Sequence, residues 1–234
     1  MQLVLEQTAG AREAAALACV NEVAASGAGD RGLVEKLKKK YAALYKLRQV
    51  LGNEELIAQA KLIGNDVLVR QLRKSGVRSK SGVAVVALMV RPLSCPFKCA
   101  YCPSSELAAK SYTGHEPAAL RARANDFDSR RQVEARLRQF EVNGHETSKC
   151  ELIVMGGTFN VQPIEYQTNF LKSAFDAFNE EESASLQQAL EKNEAAKHRV
   201  VGVTFETRPD CASKRQVSQL VDFGATRVEL GVQS

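Results

Sequence analysis

GVAVVALMV at residues 82–90 runs almost directly into CPFKCAYC at residues 95–102, and these two stretches decide the fold. The first is short, continuous and rich in β-branched residues, which is typical of a parallel strand buried on both faces. The second places three cysteines just after that strand. Because the carboxyl ends of parallel strands carry the active site in α/β folds, the sequence predicts a cysteine-rich site at one edge of a parallel sheet.

The alternation of strands and helices continues to the last residue. Apolar runs typical of strands recur at residues 151–155, 199–205 and 227–232, and helical spacing lies at 129–142, at 165–196 with a break, and at 213–223. This order indicates a βα barrel or a doubly wound sheet. Polar or glycine-rich residues follow each predicted strand, so we expect four strand ends to contribute to one site.

The first 80 residues differ in character from the rest. Helical spacing covers residues 2–25, 31–50 and 53–61, and residues 75–82 form a polar linker. The segment contains 14 Lys and Arg and 8 Asp and Glu, a net charge of +6, whereas the whole chain of 234 residues has +5. We predict a basic helical domain over residues 1–80 that binds nucleic-acid phosphates. A solvated helix face is the alternative. The positive charges of residues 1–80 are densest at Lys36, Lys38, Lys39, Lys40, Lys46 and Arg48.

Composition excludes several classes of protein. The longest apolar stretch, residues 83–90, is far shorter than the roughly 20 residues of a membrane helix. Glu6 interrupts the apolar start that a secretory signal would need. Three of the six cysteines fall within residues 95–102, which favours metal binding over a disulfide framework. We therefore expect a cytoplasmic protein with no membrane partner.

The cysteine spacing indicates an iron–sulfur cluster. Three and then two residues separate Cys95, Cys99 and Cys102, so one loop can provide thiolates to three irons of a 4Fe-4S cluster and leave the fourth iron open. A zinc site normally needs a fourth ligand, as does a bacterial ferredoxin. Both remain alternatives. The other cysteines, which are expected to be buried free thiols, are Cys19, Cys150 and Cys211.

This loop resembles that of radical S-adenosylmethionine (SAM) enzymes. The resemblance implies that the three cysteines bind the cluster, that the open iron chelates SAM, and that a reductant triggers release of a 5′-deoxyadenosyl radical. It also implies that Tyr101 packs near the adenine and that Gly156, Gly157 and Thr158 receive the SAM amino group. Adjacent glycines do allow a close backbone approach, although Gly-Gly-Thr is also common in ordinary turns.

Five segments resemble, in order and spacing, the catalytic subunit of Elongator and its archaeal single-chain relatives: VAVVA (83–87), SYTGHEP (111–117), MGGTF (155–159), FETRPD (205–210) and RVELGVQS (227–234). These enzymes form a carboxymethyl group on tRNA uridine 34 and combine a radical SAM barrel with a C-terminal acetyltransferase domain. The resemblance implies acetyl-CoA as co-substrate. It also implies a tRNA anticodon loop as partner, where the target base is already unpaired.

The resemblance also assigns further residues. Glu206 and Gln233, at the ends of the third and fourth strands, match positions that touch SAM in related enzymes. Lys149 matches a lysine linked to acetyl-CoA, and Tyr112, His115 and Glu116 are expected to line the substrate pocket. The alternatives are a salt-bridged loop carboxylate for Glu206, a surface amide for Gln233 and a solubilising side chain for Lys149. His145 and His198 are expected to be surface histidines.

The chain also departs from the family pattern. Its first cysteine interval is shorter than is usual in the family, and Pro103-Ser104-Ser105 replaces a Pro-Gly-Gly. Only four of the six βα units of a radical SAM barrel are predicted over residues 81–234, and the acetyltransferase domain is absent from them. We therefore expect a partial barrel, which is either a fragment of a longer protein or one half of an enzyme whose other half is another polypeptide. Two further functions remain open: a radical SAM enzyme of the methylthiotransferase or porphyrinogen-oxidase type, and a non-catalytic tRNA-binding scaffold.

Overall fold

The computed structural model describes residues 2–26, 31–73, 81–100, 102–103 and 105–232. The chain forms two compact units. The first comprises Met1–Lys80 together with Phe140–His145, and the second comprises Ser81–Gln139 and Glu146–Ser234. Within the described residues, no helix is both long and apolar enough to cross a membrane.

The first unit is helical. It contains α1 (Gln2–Ala25), α2 (Arg31–Leu44), α3 (Asn53–Leu62) and α4 (Asp66–Leu72), of which α4 was not predicted. Arg12 on α1 makes a two-pronged ion pair with Glu55 on α3, at 2.6 and 2.8 Å. Glu55 also accepts a hydrogen bond from the Gly52 backbone N–H at 2.7 Å, which caps α3. The same unit contains an apolar core whose least exposed members include Ala15, Cys19, Val20, Leu56 and Ala60.

Helix α2 ends at Leu44, six residues earlier than predicted. Lys46 adopts a left-handed backbone with φ of 54°. The Leu47 N–H reaches the Ala42 carbonyl at 2.8 Å, and the Lys46 N–H reaches the Ala43 carbonyl at 3.1 Å. This pair of bonds is a Schellman termination. The predicted helix is too long because the left-handed residue that ends a helix in this way is usually glycine, and here it is Lys46.

The predicted basic cluster is only partly on the surface. Lys38 is 4% exposed, and its Nζ donates to Glu35 Oε1 at 2.7 Å and to Asn53 Oδ1. Lys39 and Lys40 are both exposed, and Lys40 Nζ pairs with Glu22 at 2.6 Å. The expectation that Lys38 belongs to a solvent-facing patch is therefore wrong, because its ammonium is used inside the unit.

The second unit is an α/β layer structure. Its elements are β1 (Ala84–Met89), α5 (Pro117–Ala124), α6 (Ser129–Val142), β2 (Lys149–Met155), α7 (Ile164–Asn179), α8 (Leu186–Asn193), β3 (Arg199–Thr207), α9 (Lys214–Asp222) and β4 (Arg227–Leu230). The last three residues of α6, 140–142, belong to the first unit. The strands form one parallel sheet in the order β1-β2-β3-β4, which confirms the predicted alternation. Helix α5 was not predicted.

Strand β1 is fully buried on one face only, which corrects the expectation that both of its faces are buried. Val86 and Leu88 are fully buried, whereas Val85 is 38% exposed. The more open face contains the ion pair between Glu151 and Arg227, at 2.9 Å. Burying these charged groups fully would remove their hydration at a large cost in free energy, so this face of the sheet stays partly open to solvent.

A helix side chain satisfies the backbone of strand β1. Gln132 on α6 accepts from the Met89 N–H and donates to the Met89 carbonyl, each at 3.0 Å. Strand β1 is at one end of the strand order, where backbone groups would otherwise be unpaired. The side-chain amide therefore closes this position of the edge.

The histidine predictions need correction. His198 is 2% exposed; its Nδ1 lies 3.1 Å from the Thr147 carbonyl and its Nε2 lies 3.4 Å from Glu180. His145 is half-buried and packs edge-on against Phe140. His145 follows α6 and His198 precedes β3, so both lie in connecting segments, which are usually exposed. Here the two side chains pack against neighbouring residues instead.

Candidate functional site

A cavity of about 280 Å³ opens at the carboxyl edge of the sheet. Its walls come from the loop after β1, the turn after β2, and the ends of β3 and β4. This is the edge at which the sequence predicted a site, and the volume is near the lower end of the range for ligand pockets. Among the residues that line it are Cys95, Cys99, Cys102, Tyr112, Gly157, Thr158, Glu206, Arg208 and Glu229.

The three cysteines of the loop after β1 all line this cavity as free, half-buried thiols. Cys102 Sγ lies 3.3 Å from Ser111 Oγ. Cys99 Sγ accepts a hydrogen bond from Arg208 at 2.7 Å. The structure thus brings together on one wall the three residues that the spacing selected.

The donor set fits an iron–sulfur cluster. Thiolates are the usual cluster ligands, and each binds a different iron, so the three sulfurs need not converge on one point. Among the described residues, no group of three His, Cys, Asp or Glu side chains is arranged to hold a single metal ion. The remaining cysteines are chemically different. Burial raises the pKa of Cys19 to about 11 and that of Cys150 to about 12, which keeps them as inert thiols.

Arg208 is the main residue of the site that sequence reasoning missed. Its Nε and Nη2 donate to the two carboxylate oxygens of Asp210, at 2.9 and 2.7 Å, and Nη1 is directed at Cys99. The guanidinium carbon also lies 4.1 Å from the centre of the Phe97 ring. The hydrogen bond to Asp210 raises the pKa of Arg208, so it stays a cation. The FETRPD segment contained this residue, but no spacing rule linked it to the cysteines.

Tyr112 and Glu206 join the loop after β1 to strand β3. The Tyr112 hydroxyl donates to Glu206 Oε2 at 3.1 Å. Burial raises the pKa of Glu206, as does the nearby Glu229 carboxylate. Burial also raises the pKa of Tyr112, with Glu206 as the next cause. The pair therefore contains a phenol that stays protonated beside a carboxyl group that retains its proton to higher pH than usual.

The two glycines after β2 have different surroundings. Gly156 has φ of +114°, and a Cβ placed there would lie 2.7 Å from Ala109 Cβ and 2.9 Å from Val90 Cγ2. Gly157 has φ of +64° and lines the cavity, as does Thr158, which is 2% exposed. Gly156 is thus needed where the loop after β1 approaches closely, whereas a Cβ at Gly157 would meet only Lys110, at 3.7 Å.

A buried hydrogen-bond network positions the end of β3. Thr207 Oγ1 donates to Asn160 Oδ1 at 2.7 Å, and Asn160 Nδ2 donates to the Cys211 carbonyl at 2.7 Å. Cys211 is 3% exposed, as expected for a buried thiol. The network anchors Thr207, and it thereby helps to position the two neighbouring site residues, Glu206 and Arg208.

Several predicted site residues lie elsewhere. His115 is exposed, and Glu116 accepts hydrogen bonds from Thr113 N, Thr113 Oγ1 and Gly114 N, at 2.8–3.0 Å. The backbone bond from Thr113 is the main cause that lowers the pKa of Glu116 to about 2. Neither residue lines the cavity. Lys149 is the first residue of β2 and exposed, at the amino edge of the sheet. Tyr101 and Gln233 lie outside the described residues.

Comparison with known proteins gives close relatives. The chain is 45% identical over 214 residues to the tRNA uridine(34) acetyltransferase of Methanocaldococcus infernus, a match that covers 88% of the chain and 40% of the relative. It is 37% identical over 212 residues to Elongator complex protein 3 of Homo sapiens, covering 86% of the chain and 39% of that protein. No family model matches. The chain thus spans about 40% of the length of these curated relatives.

A solved structure is also similar. The archaeal Methanocaldococcus infernus Elp3 with an N-terminal deletion (1–46) matches with a TM-score of 0.52 and 44% sequence identity. The match covers 65% of this chain and 29% of that structure. Sequence and fold therefore agree on the same set of relatives.

Proposed function

Because the chain belongs to the family of tRNA uridine(34) acetyltransferases and Elongator complex protein 3, we propose that it provides the cluster- and SAM-binding part of an enzyme that modifies the wobble uridine of tRNA. The sheet is then part of a radical SAM barrel. The observation on which the proposal depends is the convergence of three free thiols on one cavity at the carboxyl edge of the sheet.

Cys95, Cys99 and Cys102 would hold the cluster. A 4Fe-4S cluster with three protein thiolates has an iron free to bind SAM, and together they supply radical chemistry once a reductant provides an electron. The protein's own part is to bind, orient and exclude water. Half-buried thiols on the wall of a small cavity would keep part of a bound cluster away from solvent.

The rest of the cavity suits a zwitterionic cofactor. SAM has a cationic sulfonium, an amino group and a carboxylate. The lining offers the carboxyl groups of Glu206 and Glu229 and the cations of Lys110 and Arg208. We propose that Glu206 binds a cationic or hydroxyl group of SAM, and that Tyr112 holds the Glu206 carboxyl in place. Gly157 and Thr158 would approach the SAM amino group.

The basic first unit would bind tRNA. Lys36 and Lys39 are exposed on α2, at a spacing that places them on neighbouring turns. Exposed lysines attract phosphates without reading base sequence, which suits a domain that delivers a folded RNA to a separate catalytic cavity. A cytoplasmic location, where tRNA is modified, belongs to the same proposal.

The acetyl-CoA step is a separate part of the proposal. Lys149 would pair with a CoA phosphate, but it lies at the edge of the sheet opposite the thiols. We therefore assign it to cofactor capture and not to the radical step. Lys149→Ala should weaken acetyl-CoA binding in calorimetry and leave SAM binding unchanged; the reverse pattern would remove Lys149 from this role.

Anaerobic reconstitution tests the radical proposal. Iron and sulfide incorporated into the wild-type protein should reach cluster stoichiometry, and reductant with SAM should yield 5′-deoxyadenosine. Cys99→Ser should lose the cluster. Cys19→Ala, which changes a buried cysteine of the other unit, should retain it. Zinc in place of iron, or a loaded cluster that never cleaves SAM, would reject the proposal.

The substrate is tested with RNA. Unmodified tRNA should bind, and the modified base should be uridine 34, which mass spectrometry of nuclease fragments identifies. A loaded protein that cleaves SAM but does not bind tRNA would favour one of the other radical enzymes.

A further inference from the structure

The Arg208 guanidinium is shared between two acceptors, so that Asp210 takes one edge of the group and Nη1 is left to donate to sulfur. Asp210 takes Nε and Nη2, and Nη1 donates to Cys99 Sγ at 2.7 Å. The rigid fork of arginine fixes these directions together. Arg208 is therefore aimed at Cys99 by its partner and not by chance rotation of a long side chain.

A second contact, with the face of the Phe97 ring, also positions the Arg208 guanidinium. The guanidinium carbon lies 4.1 Å from the centre of the Phe97 ring, in the interval between Cys95 and Cys99. Stacking on an aromatic ring restricts the plane of the guanidinium. The cysteine loop itself thus provides the surface on which Arg208 rests, and the strand end provides the residue.

We propose that Arg208 is a positioning residue that keeps its hydrogen bond to the Cys99 sulfur in the cluster-bound protein and thereby raises the reduction potential of the cluster. This inference rests on the proposed function, because it needs Cys99 to be a cluster ligand. Hydrogen bonds to ligand sulfurs and nearby positive charge withdraw electron density from the cluster, so the added electron is better stabilised. The couple takes up one electron from an external reductant, and no bond in the protein forms or breaks.

The experiment is an anaerobic redox titration of the reconstituted holoprotein without SAM, followed by electron paramagnetic resonance of the reduced cluster. Arg208→Gln removes the charge and the fork. We expect the ratio of reduced to oxidised cluster at a fixed potential to fall about tenfold, which is about 59 mV for a one-electron couple. Arg208→Lys keeps a charge but not the fork, and we expect an intermediate shift.

Arg199→Gln is the matched control. Arg199 begins the same strand, is exposed, and pairs with Glu194 far from the cavity. The reduction potential of the cluster in the Arg199→Gln protein should equal that of the wild type. A fully loaded Arg208→Gln protein with the wild-type potential, or an equal shift in Arg199→Gln, would overturn the inference while leaving the proposed function intact.

Two further outcomes are also decisive. If Arg208→Gln takes up no cluster, Arg208→Lys is measured in its place; a lowered potential supports the inference and an unchanged one overturns it. If the wild-type protein itself takes up no iron, the proposed function fails and this inference fails with it. Iron analysis of each sample separates the two cases.

Discussion

Side chains around the cavity show that a residue's chemistry is set by its neighbours. Glu206 and Glu116 are both glutamates of the second unit, yet burial raises the pKa of one and backbone hydrogen bonds lower the pKa of the other to about 2. The sequence predicted both as site residues. It could not separate them, because the difference lies in which donors the folded loop directs at each carboxylate.

Glu206→Gln tests the raised pKa through stability. A carboxyl group with a raised folded-state pKa contributes stability below its usual value of 4.5, and this contribution is lost as the pH rises through the folded value. The amide keeps an acceptor for Tyr112 and has no charge to bury. The variant apoprotein should therefore unfold at the same temperature as the wild type near pH 4 and at a higher temperature near neutral pH. Identical melting temperatures across this range would contradict the raised pKa.

The glycines after β2 give a second residue-scale prediction. Gly156→Ala should destabilise the protein by about 3 kcal/mol, because an added methyl meets Ala109 and Val90 and the backbone conformation disfavours it. Gly157→Ala has no heavy atom closer than 3.7 Å to the new methyl and should cost about 1 kcal/mol, from backbone conformation alone. Urea unfolding of the two variants measures the difference. Equal losses would show that packing at Gly156 is not limiting.

At the scale of elements, long periodic segments were predictable and short or unusually terminated ones were not. The strands and the helices α1, α3 and α6 lie close to their predicted positions. Helix α4 has only seven residues, so its periodicity is too short to stand out, although Asn65 caps it by accepting from the Leu68 N–H at 3.0 Å. Helix α5 has eight residues and begins with Pro117, which favours a helix start, but so short a helix has too little periodicity to stand out from the loop after β1.

Helix α2 allows a test of its two kinds of lysine. Lys38→Glu would place a second carboxylate beside Glu35 in a buried position and remove the donor to Asn53, so we expect a loss of about 3 kcal/mol or more. Lys39→Glu is the neighbouring control on an exposed position, and it should change stability by less than about 0.5 kcal/mol. Chemical denaturation followed by circular dichroism measures both. A harmless Lys38→Glu would mean that this ammonium is not required inside the unit.

At the scale of the whole molecule, the charge is segregated between the two units, and this was readable from the sequence. The first 80 residues have a net charge of +6 in a chain of +5. What the sequence could not give is which lysines face solvent, because that depends on the packing of α2 against its neighbours. The cavity shows the same limit: the cysteine spacing predicted three of its residues, while Arg208 and Glu229 were brought to it by the sheet.

The exposed lysines give the prediction for tRNA. Lys36→Glu combined with Lys39→Glu should weaken tRNA binding and reduce the slope of log affinity against log salt by about 2. Replacement of the same lysines by Gln preserves helix propensity and should give a smaller loss of affinity. Filter binding over a series of salt concentrations measures both. An unchanged slope in the charge-reversed variant would remove this face of α2 from the tRNA interface.

The first unit is discontinuous, since Phe140–His145 belongs to it although residues 81–139 belong to the second unit. Lys61 donates to the Glu141 carbonyl at 2.9 Å, and a Cβ at Gly144 would lie 3.3 Å from Val69. During synthesis, the helices before residue 80 leave the ribosome without these partners and acquire them only after a large part of the second unit has emerged. A shortened protein that ends at residue 80 would therefore lack part of the first unit. Any attempt to produce this unit alone must include residues 140–145, for instance joined to residue 80 through a linker.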